Sequence, residues 1–168
     1  MKSLLTPWRY SYLVQEKPAG CVFCLALSRQ DDESSLIVHR GTRTFVILNL
    51  FPYANGHLMI VPNDHLASPA ESEPAQRWEM IDLAAACEAA LRDAYRADGV
   101  NLGMNLGKAA GAGIESHYHL HVVPRWEGDT NFMAVTADTR IIPEELQRTR
   151  QKVRDALARR LSRGGPPL

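Results

Sequence analysis

Short apolar runs of strand length alternate along this chain with two longer segments of helical period. Leu36-Ile37-Val38 and Thr44-Phe45-Val46-Ile47-Leu48 are rich in β-branched residues and flank Arg40-Gly41-Thr42, a pattern that predicts a hairpin. Leu58-Met59-Ile60-Val61 is a third run, reached through Asn55-Gly56-His57 and stopped by Pro62, which has no amide hydrogen for a ladder. From Pro74 to Arg96, Trp78, Ile81, Ala85, Leu91 and Tyr95 recur at helical spacing among many alanines, so a long helix is expected there, ended by Gly99. Val100 to Leu106 reads as a fourth strand, Gly107 to Gly113 as a loop of small residues, and His117 to Trp126 as a fifth strand. A last helix is expected from Pro143 to about Arg163, with Leu146, Val153, Leu157 and Leu161 on one face.

This order predicts an α+β domain, an antiparallel sheet with the long helix packed on it. Residues 1–20, which include Pro7, Trp8, Tyr10, Tyr12 and Pro18, read as an arm that packs on the body or on a partner subunit. After Cys24 the pattern gives a short apolar turn and then a polar surface loop from Ser28 to Ser35. The chain closes on Gly164-Gly165-Pro166-Pro167, a sequence expected to fray.

Composition narrows the function. A chain of 168 residues that is 45% hydrophobic with formal net charge +0 describes one soluble domain without a global pull toward nucleic acid or membrane. An anionic ligand must then be held by local groups. No apolar run approaches the roughly 20 residues of a membrane span, and no signal-peptide pattern opens the chain, so a cytoplasmic location is expected. Cys21, Cys24 and Cys87 make a poor disulfide framework and fit a reducing compartment. Cys87, in the alanine-rich helix, reads as packing. Arg148, Arg150, Lys152, Arg154, Arg159 and Arg160 of the last helix, diluted by Glu144, Glu145 and Asp155, read as a solvated face.

The chemistry concentrates in His117-Tyr118-His119-Leu120-His121. Histidines at alternate positions of an extended segment share one face, and imidazole works near neutrality as nucleophile, acid, base or metal ligand. From the residues alone, three satisfied strand histidines, a metal site of the His-x-His kind and a row of catalytic imidazoles all stay open.

His117-Tyr-His119-Leu-His121-Val-Val resembles the signature of the histidine triad (HIT) family, His-φ-His-φ-His-φ-φ with φ apolar. The continuation through Pro124, Arg125, Trp126, Gly128, Asp129, Thr130, Asn131 and Phe132 is most similar to the bacterial subgroup that includes diadenosine tetraphosphate phosphorylases. The resemblance covers approximately Cys21 to Met133. It implies a 1–20 arm, a 21–133 HIT domain and a 134–168 extension with the last helix. It also implies a five-stranded antiparallel sheet and a homodimer through the long helix and a neighbouring strand.

For activity, the resemblance implies His119 as nucleophile on an α-phosphate and His121 as the contact to phosphate oxygens or the leaving group. His117 would support the nucleophile through its backbone. Asn49, within Phe45-Val-Ile-Leu-Asn49-Leu-Phe51-Pro-Tyr-Ala-Asn-Gly56-His57, takes the ribose position, with Phe51 beside the base. Asn105 and Gly107 take the phosphate-facing positions before the triad. Many members carry Gln-Ser or Gln-Thr there, whereas this chain has Gly113-Ile114-Glu115-Ser116, so the contact is expected from backbone amides or Ser116. Arg125 would meet distal phosphates or pair with Asp129.

Cys21-Val-Phe-Cys24 is half of a zinc site by itself. Zinc-containing members imply His65 and His117 as the other two ligands of a closed structural site. A pair of small buried thiols with His65 capping a helix is the bland alternative, and a redox pair is the third. The functions that follow are dinucleoside polyphosphate cleavage, by phosphorolysis or hydrolysis through a nucleotidyl-histidine, or hydrolysis of a nucleoside phosphoramidate or mononucleotide conjugate. A nucleotide-binding regulatory module and a metallohydrolase using all three histidines are the readings from other classes.

Overall fold

The computed structural model of the protein describes residues 20–129 and 144–162. The expectations for the arm, for Thr130, Asn131 and Phe132, and for both ends of the last helix at Pro143 and Arg163 lie outside those residues.

Five strands form one antiparallel sheet: β1 Ile37–Arg40, β2 Thr44–Leu48, β3 Leu58–Pro62, β4 Gly99–Gly103 and β5 Leu120–Arg125. Their order across the sheet is β1-β2-β3-β5-β4, so β5 runs between β3 and the edge strand β4. Three α-helices accompany them among the described residues: α1 Val22–Ser28, α2 Pro74–Tyr95 and α3 Leu146–Ser162. Helix α2 packs on β3 and β5, and α3 packs beside it and on β1. The predicted architecture is therefore observed, with α1 as an addition where the sequence reads only as an apolar turn.

The face of α2 differs from the expected one. Trp78 and Ile81 are 69% and 59% exposed, and Ala85 is exposed with them. The buried stripe is Gln76, Glu79, Met80, Leu83, Ala84, Cys87, Ala90 and Leu91. Leu91 is buried as expected; two stripes of helical period coexist in this segment, and the one that packs combines Met80, Leu83 and Leu91 with Ala84, Cys87 and Ala90, whose small side chains allow close approach to the sheet. The helix also ends at Tyr95, before Gly99, because Arg96 itself takes the left-handed conformation of a C-cap, with φ 51°.

Buried polar groups fasten this layer to the hairpin. Glu79 is buried, and its carboxylate accepts from the backbone amides of Arg43 and Thr44 and from the Thr44 hydroxyl, each at 3.0 Å. Arg150 corrects the reading of α3 as carrying only solvated bases. It is buried, and its Nε donates to the Ile37 carbonyl at 2.8 Å, meeting an acceptor of β1 beside the bulge in the β1–β2 register. Lys152 lies over the Tyr95 ring at 4.0 Å, and Arg160 pairs with Asp93, so both tie α3 to α2.

Glu79→Ala leaves several buried donors without an acceptor, which costs about 2–4 kcal/mol. Urea denaturation should show the midpoint falling with an unchanged slope; coincident curves would remove Glu79 from the scaffold's support.

Candidate active site

The triad segment is extended, but only its second half is paired. β5 begins at Leu120, and its pairing with β3 covers Leu58, Met59 and Ile60 alone. His117 and His119 therefore precede the strand rather than belong to it, a correction with a physical reason. β3 ends at Pro62, which has only its carbonyl to offer, and the side chain of His117 takes it: Nε2–H donates to the Pro62 oxygen at 2.9 Å. The Tyr118 amide donates to the Leu66 carbonyl at 2.8 Å, and its buried hydroxyl meets Ser72 Oγ at 2.6 Å. Side chains and a loop thus fix the segment where a ladder does not.

Alternation survives this departure. The His119 and His121 ring centroids are 4.8 Å apart, and the ring of Phe23, delivered by α1, lies 4.9 Å from His119 and 5.5 Å from His117. The Nδ1 of His119 is 3.1 Å from the carbonyl oxygen of its neighbour but one, His117. A carbonyl only accepts, so the proton sits on Nδ1 and the lone pair of Nε2 is left for chemistry. Burial holds the His119 pKa below the usual imidazole range, with the Nδ1 bond opposing it in part, and keeps the ring neutral near pH 7.

His121 is set by a second relay, through a residue whose role the sequence reading leaves unassigned. The Tyr53 amide donates to Nδ1 of His57 at 3.1 Å, and Asn49 Nδ2 lies 3.4 Å from the same nitrogen. With Nδ1 accepting, His57 carries its proton on Nε2 and donates to His121 Nδ1, 2.9 Å away. His121 then holds its own proton on Nε2. His57 is fully buried, and Gly56 before it lets the turn pack on α2: a Cβ there would lie 2.8 Å from Leu91 Cδ2. The Gly56-His57 pair before β3 was the available signal; its partner lies 64 residues away, out of reach of any local pattern.

The remaining expected residues divide. Asn49 joins the relay and accepts from the Phe51 amide at 2.9 Å. Asn105 and Arg125 line one groove with His121, and Arg125 pairs with Asp129 at 2.9 Å. Gly107 and Ser116 are exposed on the loop between β4 and the triad; Gly107 has φ 79° and opens a short 3-10 turn, Lys108–Ala110.

Behind the triad, Cys21, Cys24, His65 and His117 bring four ligand atoms within 4.8 Å of one another. Cys21 Sγ and Cys24 Sγ lie 3.3 Å from His117 Nδ1 and His65 Nδ1, respectively. The Pro62 bond on Nε2 leaves His117 Nδ1 unprotonated, its lone pair facing the thiols. Two thiols and two imidazoles converging in this way have the chemistry of a tetrahedral zinc site.

Burial, reinforced by the neighbouring His119, pushes the His121 pKa down from 6.5 to about 4. Between those values the unfolded chain binds a proton that the folded chain refuses, so this contribution to stability is complete above about pH 6.5 and is lost as the pH falls toward about 4. Nitrogen-15 NMR should find the Nε2–H tautomer of His121 at pH 7 and a titration midpoint near 4. A midpoint at the ordinary value would contradict the buried neutral ring.

Comparison with known proteins agrees with this geometry. Residues 30–128 match the HIT domain family. Over 167 residues the chain is 32% identical to a protein named AP-4-A phosphorylase from Mycobacterium tuberculosis, covering 95% of this chain and 86% of that one. Among solved structures, a zinc-bound histidine triad family protein from Mycobacterium smegmatis superposes with TM-score 0.70 at 29% identity, covering 86% of this chain and 97% of that one. A hypothetical histidine triad nucleotide-binding protein from Sulfolobus tokodaii gives TM-score 0.68 at 26% identity, covering 83% and 93%. Matched across more than half its length by the family and along nearly all of it by one relative, this chain belongs to the histidine triad family.

Proposed function

We propose that the protein cleaves dinucleoside polyphosphates of the diadenosine tetraphosphate kind through a nucleotidyl-His119 intermediate. The observation that carries this reading is the pair of opposite tautomers side by side. His119 offers a lone pair at Nε2, and His121 offers a proton at its own Nε2. The name of the Mycobacterium tuberculosis relative supports the substrate class and a phosphate acceptor.

In the first step the Nε2 lone pair of His119 attacks the α-phosphorus. The bond from that phosphorus to the bridging oxygen breaks, and its electron pair departs with a nucleoside triphosphate. His121 Nε2–H donates to that oxygen or to a phosphoryl oxygen as charge develops. In the second step an oxygen of inorganic phosphate attacks the same phosphorus, the N–P bond breaks and its electrons return to Nε2. The products are a nucleoside diphosphate with phosphate, or a monophosphate with water. Asn49, with Phe51 near the base, serves the retained nucleoside, and Asn105, Gly107 and Ser116 face the phosphates.

Cys21, Cys24, His65 and His117 fit zinc and would hold it as a closed structural site. When bound, the metal supplies a crosslink between α1 and the triad segment. Thiolate ligands need a reducing compartment, which fits a cytoplasmic setting. The exposed Trp78 and Ile81 of α2, beside the edge strand β4 with its exposed Leu102, form the face for a homodimer.

Mass spectrometry after brief mixing with diadenosine tetraphosphate should show one added adenylyl group, absent in His119→Ala and cleared faster when phosphate is present. The substitution should lower turnover by more than roughly a thousandfold. Equal consumption by both proteins would exclude His119 as nucleophile.

Elemental analysis should find one zinc per chain. Cys24→Ser should lose it and lower the melting temperature, without any excess of added zinc being needed for the parent's adenylylation.

A further inference from the structure

We infer that Tyr95, anchored by Glu144, is the positioning residue that keeps His57 aligned with His121. Its catalytic meaning rests on the covalent reading above, in which His121 presents a proton at Nε2 only while His57 donates to its Nδ1. The ladder between β3 and β5 begins at Leu58, one residue after His57. The backbone bonds of His57 run instead within the loop that precedes it. Its amide donates to the Ala54 carbonyl at 3.1 Å, and its carbonyl accepts from the Asn49 amide at 2.9 Å. The two partners of the 2.9 Å His57–His121 bond thus stand on different segments, and their alignment needs a brace from outside the ladder.

Tyr95, the last residue of α2, touches both segments. Its ring lies against the turn before His57: a Cβ on Gly56 would stand 3.1 Å from Tyr95 Cε2. Its carbonyl accepts from the Trp126 indole N–H at 3.1 Å, one residue past the end of the strand that carries His121. One residue therefore meets the turn with its ring and the strand with its backbone. A shift of Tyr95 changes the separation of the two histidines, and a hydrogen bond is steep in both distance and angle.

Packing alone does not account for a tyrosine here. A phenylalanine ring would fill the same space, whereas the hydroxyl of this half-buried residue needs an acceptor. That hydroxyl donates to Glu144 Oε2, which also accepts from the Thr149 hydroxyl at 3.0 Å. Arg148 and Lys152 flank the other carboxylate oxygen at 3.4 and 3.9 Å. Burial, with the Glu144 carboxylate beside it, pushes the phenol pKa well above its ordinary value, so the hydroxyl stays a donor. The segment that opens α3 reaches the active site through this one side chain.

Nitrogen-15 and proton NMR of the histidine rings at pH 7 test the brace in the whole protein without substrate. In the parent, the His57 Nε2 proton should exchange slowly with water and His121 should be the Nε2–H tautomer. Tyr95→Ala should speed that exchange by about tenfold or more and bring in the Nδ1–H form of His121. His119, whose Nδ1 partner is the His117 carbonyl, should keep its single tautomer. Tyr95→Phe and Glu144→Ala keep the ring and release its anchor, so they should shift the same signals by a smaller factor. Those two carry the measurement should Tyr95→Ala fail to fold. Adenylylation of His119 by diadenosine tetraphosphate should slow by about tenfold in Tyr95→Ala. Unchanged His57 and His121 signals in every folded variant, or a loosening shared equally by His119, overturn the inference and leave Tyr95 a clasp between helices. A parent that forms no adenylyl-histidine, with the NMR shifts as expected, loses the covalent reading while the brace stands.

Discussion

One hydrogen bond, from Nδ1 of His119 to the carbonyl of His117, decides what the triad can do. An imidazole with its proton on the other nitrogen would present a donor to the phosphorus and no nucleophile. The acceptor must therefore be immobile, and the fold makes it so from three directions. The His117 side chain is bound to Pro62, the next amide is bound to Leu66, and Phe23 closes over both rings. The same residue faces the thiols of Cys21 and Cys24, so whatever orders that cluster also orders the carbonyl. The contacts that hold the His117 ring thus also hold the carbonyl that fixes the tautomer of His119.

The two relays use one principle with opposite outcomes. A backbone carbonyl behind His119 leaves a lone pair on its Nε2; a histidine donor behind His121 leaves a proton on its Nε2. Sequence spacing equates these residues, since both sit at alternate positions of one segment. What separates them is the partner of Nδ1, and neither partner is visible at the level of composition or period. The carbonyl is generic, and His57 comes from across the sheet.

Elements were legible where local signals agree: the hairpin around Gly41, the run ended by Pro62, the alanine-rich helix and the last helix. The losses have a common cause. Trp78 and Ile81 stand on α2 at helical spacing with Leu91, while Met80, Leu83, Ala84 and Cys87 repeat on the neighbouring stripe that packs on the sheet, so period alone does not choose between the two. Arg150 reads as one base among six, yet it fills an acceptor at an irregular point of β1. Helix α1 is seven residues long and lacks a side-chain cap, too short for period to separate it from a turn. In the site, the convergence of Cys21, Cys24, His65 and His117 was reachable through resemblance, because they occupy fixed motif positions, whereas the contact of His57 with His121 was not.

Burial sets the electrostatic character of the site. The pKa values of His117, His119 and His121 are all shifted downward, chiefly by desolvation, so the three rings are neutral dipoles near pH 7. In the proposed reaction a charged cluster would bind a phosphate ground state tightly and leave His119 protonated, whereas neutral rings with fixed tautomers would reserve their strongest interaction for the oxygen that gains charge as the phosphorus bond breaks. A cation beside His119 would depress its proton affinity further, and formal positive charge stands apart from the rings, at Arg125 on the exposed end of β5, paired with Asp129.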